Sequence, residues 1–124
     1  MMRLFLMLGS INAFLSVALG AFGAHILEER ISADMLEVYQ TGIQYHMMHA
    51  LGLIVVALLA DRLPKSPGLV KIAGWAILIG IILFSGSLYV LSLTGIKVLG
   101  AVTPLGGVAF LFGWTMLAVA ASKK

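Results

Sequence analysis

The side chains best able to do chemistry gather in one segment, Tyr39-Gln-Thr-Gly-Ile-Gln-Tyr-His-Met-Met-His-Ala-Leu51, which holds two of the three histidines of this chain. His46 and His49 are three residues apart, so on a helix they share a side. Neutral imidazoles ligate transition metals, and the thioethers of Met47 and Met48 are soft donors of the kind that favours Cu(I). The two methionines point about 100° apart, so both do not readily join one site with both histidines. Two histidines from different helices can instead hold a haem between them. Histidine and tyrosine together can also relay protons or donate to a quinone head group. The same side chains can equally do no more than lock helices together by hydrogen bonds.

The elements that must position them are four apolar stretches, residues 4–24, about 41–60, 70–93 and 104–121, separated by three short polar breaks. A bilayer core takes about 20 apolar residues per spanning helix, so the pattern predicts an all-α, polytopic membrane protein: a single four-helix transmembrane domain over residues 1–124. Composition agrees, with 61% hydrophobic and 10% charged residues and a strongly positive mean hydropathy. Cysteine is absent, which removes disulfides, thiolate metal sites and cysteine nucleophiles. The net charge of +3 comes from scattered basic residues, which argues against nucleic-acid binding. Met1-Met2-Arg3 and the small residues Ala21, Gly23 and Ala24 mimic a signal peptide. The apolar run between them is longer than a usual signal core, and we expect it to be kept as the first span.

Six cations, Arg3, Arg62, Lys65, Lys71, Lys123 and Lys124, lie on one side of these spans, against Arg30 and Lys97 on the other. That asymmetry places both termini in the cytoplasm of a plasma-membrane protein. The first break, with Glu28, Glu29, Asp34 and Glu37, then becomes an acidic outer loop, and residues 61–68, with two prolines and a glycine, a tight cytoplasmic hairpin. The third break starts with Gly95, suited to a helix C-terminus, and ends at Thr103-Pro104, an expected N-cap followed by proline at the first helical position.

From Met47 to Ala60 there are too few residues to span, so the second helix must draw its polar part into the membrane. Counted from Thr41, His46 lies roughly 8 Å and His49 roughly 12 Å below the outer boundary. On that helix Tyr39, Gly42, Tyr45, His46 and His49 form one side and Glu37, Gln40, Thr41 and Gln44 another, and the helix is expected to start near Ser32 as N-cap. His25, at the end of the first helix, is expected to converge with the pair. Asn12 is a second intramembrane polar group that needs a partner. Small residues mark the faces where helices meet: Ala13, Ser16, Gly20 and Gly23; Ala73, Ala76 and Gly80; Gly106, Ala109 and Gly113. Trp75, Tyr89 and Trp114 suit anchoring or packing. No Ser-His-Asp order, phosphate loop or paired intramembrane carboxylate is found, which argues against hydrolase, nucleotide-driven and carboxylate-relay mechanisms.

Four motifs carry a family resemblance: Gly20-Ala-Phe-Gly-Ala-His25, Tyr45-His-Met-Met-His-Ala-Leu51, Phe84-Ser-Gly-Ser-Leu-Tyr89, and Thr103-Pro-Leu-Gly-Gly107 before Gly113-Trp114. In this order they resemble the small bacterial YwdK/YgdD family, the domain of unknown function 423, whose eukaryotic relative is called transmembrane protein 256. The resemblance implies a four-helix membrane protein and no particular activity. It also draws His25, Tyr45, His49, Ser87, Tyr89, Thr103 and Pro104 toward the outer half.

The expected polar site thus comprises His25, His46, His49, Tyr45, Gln44, Tyr89 and Asn12, with His25, His46 and His49 as metal candidates and no cofactor specified. The leading expectation is a non-enzymatic module that binds or passes a small solute or proton there. The alternatives are a redox module holding haem, copper or quinone, and a structural assembly partner. The bilayer and further copies of the same chain are the expected partners, since the small-residue faces exceed what four helices use internally.

Overall fold

A computed structural model describes residues 2–60, 62–63 and 66–123. The described residues are helical throughout apart from turns, with no strand: α1 (Met2–His25), α2 (Ala33–Leu59), α3 (Pro67–Gly80), α4 (Gly86–Thr94) and α5 (Thr103–Ser122). A π turn, Ile81–Ser85, joins α3 to α4, and short 3₁₀ turns at Leu27–Glu29 and Lys97–Ala101 serve the first and third breaks. Four segments are long and apolar enough to cross a membrane: Met2–His25, Ala33–Leu59, Pro67–Thr94 and Lys97–Ser122. Asp61, Pro64 and Lys65 of the second break, with Met1 and Lys124, lie outside the described residues.

Local chemistry sets the helix ends. Ser32 caps α2 as expected, its side chain accepting from the Met35 N–H at 3.2 Å. Gly95 ends α4 in the left-handed region, φ +73°, where a side chain would be strained, and its N–H closes onto Leu91 O. Pro104 sits in the first turn of α5 as expected, but Thr103 is no cap. Its hydroxyl lies 2.6 Å from that of Ser87 and 3.4 Å from Leu99 O, because the preceding 3₁₀ turn presses it against α4.

The third apolar stretch is not one regular helix. The π turn adds one residue to the spiral, so the face of α4 that meets α2 is rotated from the face of α3 that packs on α5. Ser85, at its end, is fully buried and donates to Gly42 O at 2.8 Å.

Glycines set how closely the helices approach. A Cβ at Gly106 would strike the backbone of Phe84, one at Gly80 the ring of Phe110, and one at Gly113 would lie 2.9 Å from Ile77 and 3.2 Å from Ala73 O. Gly23 seats Tyr39, and Gly9, which the small-residue pattern did not single out, lets α1 reach Ala50 and Ile54 of α2. Gly20 makes only an ordinary contact, 3.5 Å to Ile43. Phe5 fills the space over Gly74, and with Leu53, Val56, Ile77, Phe110 and Leu117 forms the dry core. Outside, the pattern of a water-soluble protein is inverted: Phe14 is 72% and Leu111 70% exposed, a surface suited to acyl chains.

Candidate functional site

α2 is the axis of the polar site. The side of α2 holding Tyr39, Gly42, His46 and His49 is buried, with Tyr45 half-buried, while Glu37, Gln40 and Gln44 are exposed. His46 bridges three helices. One ring nitrogen, Nε2, lies 2.9 Å from Asn12 Oδ1 of α1, and the other, Nδ1, lies 2.8 Å from Tyr89 Oη of α4. The Asn12 amide oxygen can only accept, because its NH2 donates to Leu8 O at 2.8 Å. His46 therefore carries its proton on Nε2, and Nδ1 accepts from the Tyr89 hydroxyl.

His49 has the opposite tautomer. Its Nδ1 faces the Tyr45 carbonyl at 2.8 Å and must donate to it, so Nε2 is the acceptor for the Trp114 indole N–H of α5 at 2.9 Å. The ring lies flat against Phe110, centroids 3.5 Å apart, and Tyr45 packs beyond it on Phe84 at 4.6 Å. As neutral imidazoles the two rings have a partner in the protein for each of their four nitrogens. Among the described residues no buried side-chain nitrogen or oxygen lacks a hydrogen bond.

Further polar contacts extend the network along the bundle. Tyr39, fully buried, donates to Leu19 O at 2.5 Å and tilts against Tyr89, centroids 5.3 Å apart. Ser16 donates to Ala13 O and sits 3.4 Å from Met47 Sδ, which puts Met47 toward α1, while Met48 is exposed. The adjacent methionines therefore do not converge on the histidines.

The site departs from the expected one in two members. His25 and Gln44 are exposed and take no part in these bonds. His25 lies thirteen residues along α1 from Asn12, about 20 Å from the level of His46, so three histidines do not converge. The structure brings together Asn12, Tyr45, His46, His49 and Tyr89. It adds Trp114, Tyr39 and Ser85, for which the sequence offered only a Gly113-Trp114 motif, a shared helix side and the Phe84-Ser-Gly-Ser-Leu-Tyr89 motif. In sequence His49 lies midway between Glu37 and Asp61, the charges that bracket the uncharged stretch 38–60.

Chemically, this arrangement does not fit a metal or haem. The lone pair that either histidine would give to iron or copper already accepts a hydrogen bond from Tyr89 or Trp114. Among the described residues no three of His, Cys, Asp and Glu are placed to hold an ion.

Comparison with known proteins gives a family and no chemistry. Residues 19–107 match the family described as "Protein of unknown function (DUF423)". The chain is 61% identical to the UPF0382 membrane protein YwdK of Bacillus subtilis over 98% of both chains. It is 48% identical to a UPF0382 membrane protein of Staphylococcus aureus and 43% identical to one of Staphylococcus epidermidis, again over 98% of each chain. No solved structure matches it.

Proposed function

The chain belongs to the DUF423 family of membrane proteins, and on that footing we propose that it is a non-enzymatic multi-pass module of the plasma membrane. In this reading both termini are cytoplasmic, His46 and His49 lock the helices together, and other membrane components bind on the outer surface. The observation that carries it is the saturation of both imidazoles, three of their four nitrogens by groups from α1, α4 and α5 and the fourth by Tyr45 O of α2 itself. A buried imidazole whose two nitrogens are both occupied is worth more to the fold as a cross-brace than as a ligand.

Oxidised and reduced absorption spectra of the purified chain, with elemental analysis for iron, copper and zinc, test this. A blank is expected, together with a lowered unfolding midpoint for His46→Gln. A stoichiometric metal or haem band lost on replacing His46 or His49 would overturn it and restore the redox alternative.

One observation favours a second reading, passage of a proton. Tyr89 can turn its hydroxyl to accept, so a second proton on His46 Nδ1 would still find a partner. A second proton on His49 Nε2 would face the Trp114 N–H with nothing to receive it. His46 alone is then the acceptor, and proton flux in liposomes abolished by His46→Gln but retained in Trp114→Phe would support that reading.

A further inference from the structure

On the lipid side of the α3–α5 contact runs an open groove of about 490 Å³ with an almost wholly apolar lining, among it Ile72, Trp75, Ala76, Ile79, Leu83 and Ala109. It exists because Gly106 and Gly113 draw α5 so close to Phe84 and Ile77 that the larger side chains on either flank stand up as walls. Ile72, Ile79, Leu105 and Val108 are 44–63% exposed, and no other helix covers them.

The length of the groove is informative. From Ile72 to Leu83 it runs eleven residues, about 16 Å at 1.5 Å per residue, close to half of a bilayer core of about 30 Å. Leu83 is twelve residues from Lys71 and fourteen from Lys97, so the groove starts at one boundary and stops near the midplane. One leaflet's acyl chain has that reach.

The open end is cationic. Lys71 directly precedes Ile72 and is exposed. Ser66 donates to Ala120 O at 3.3 Å, which ties the start of α3 to the end of α5 and brings Lys123 to the same end. In sequence, this side carries Arg3, Arg62, Lys65, Lys71, Lys123 and Lys124 against the single carboxylate Asp61. A lysine beside an apolar slot of one-leaflet length matches an anionic phospholipid, whose phosphate meets the ammonium while a chain lies in the slot.

We infer that the α3–α5 groove is a binding site for one anionic phospholipid, its acyl chain along Ile72, Ala76 and Ala109 and its head group at Lys71 and Lys123. This rests on the reading of the chain as a module that acts through its outer surface. It names what part of that surface takes.

The full chain, reconstituted in phosphatidylcholine vesicles containing a minor fraction of chain-brominated phosphatidylglycerol, tests it through quenching of Trp75, isolated by subtracting a Trp75→Phe variant. Brominated phosphatidylglycerol should associate about five-fold more strongly than brominated phosphatidylcholine at equal fraction. Lys71→Gln should remove most of that preference. Ala109→Phe, which fills the slot without changing charge, should remove the quenching by either lipid. Lys71 is exposed, so its variant keeps the test decisive if Ala109→Phe fails to fold. Unchanged quenching in a folded Ala109→Phe variant would reduce the effect to general surface charge and overturn the site. The cysteine-free chain permits a clean second check. Oxidative cross-linking of Ile79→Cys between copies would show a second copy covering the groove and overturn the proposal. The absorption spectra do not depend on Lys71 or Ala109, so failure here and failure of the underlying reading are separately visible.

Discussion

Two histidines three residues apart on one helix have opposite tautomers because their second partners differ in kind. Asn12 offers His46 an acceptor, so its Nε2 holds the proton, whereas Trp114 offers His49 a donor, so its Nε2 is bare. Trp114→Phe would keep much of the packing on His49 but leave that nitrogen without its donor. We expect it to destabilise the bundle by about 1 kcal/mol, measured by unfolding in mixed micelles. A double-mutant cycle on Asn12→Ala and His46→Ala should return a coupling of about 0.6 kcal/mol, the average for interhelical hydrogen bonds in membranes, whose maximum is about 1.7 kcal/mol. Near-additivity would mean the two side chains do not share a bond. The sequence showed that Tyr39, Gly42, Tyr45, His46 and His49 form one side of a helix, because 100° spacing is a local property. It could not show that Trp114, sixty-five residues after His49, completes the pair. Nor could it show that His25, close in type and motif, stands a helix half-length away.

At the scale of elements, glycines and one irregular turn decide which faces meet. Gly86 and Gly106 look alike in the sequence, each in the first turn of its helix, yet a Cβ at Gly106 would enter the Phe84 backbone while one at Gly86 meets nothing within 4 Å. Gly106→Ala should therefore cost about 1–3 kcal/mol, the usual penalty of overpacking, and Gly86→Ala should be neutral or slightly stabilising, both read from thermal unfolding of the detergent-solubilised chain. The π turn has a sharper consequence. Deleting exposed Ile82 would remove the extra residue that the π turn accommodates, so Ile81–Ser85 should close to regular α spacing with α4 keeping its phase to α3. An alanine inserted between Gly86 and Ser87, in regular helix, would instead turn Tyr89 about 100° away from His46, so the insertion should lower the unfolding midpoint more than the deletion does. The four spans, the Ser32 cap and the Gly95 stop were legible because length, capping and φ are set by neighbouring residues. The π turn was not, because residues 76–84 are nearly all apolar and carry no polar stripe from which a change of phase can be read.

The whole molecule is a bundle with polar cross-braces inside and an apolar surface outside, which is the arrangement a bilayer selects, since buried polar groups gain partners and exposed apolar ones meet lipid. Four hydrophobic stretches made that architecture readable at once. The activity was not readable in the same way, because neutral histidines that brace helices and histidines that bind a ligand have the same letters and the same spacing. The distinction lies in the atoms that face each ring nitrogen, and those come from α1, α4 and α5. The measurement that tests this most directly is nitrogen NMR of the chain, labelled with ¹⁵N in its histidine rings and reconstituted in lipid near neutral pH. The account predicts two neutral buried imidazoles, His46 protonated on Nε2 and His49 on Nδ1, with Tyr89→Phe perturbing only the first and a chelator perturbing neither. A ring signal shifted by bound metal, or the same tautomer at both positions, would contradict it.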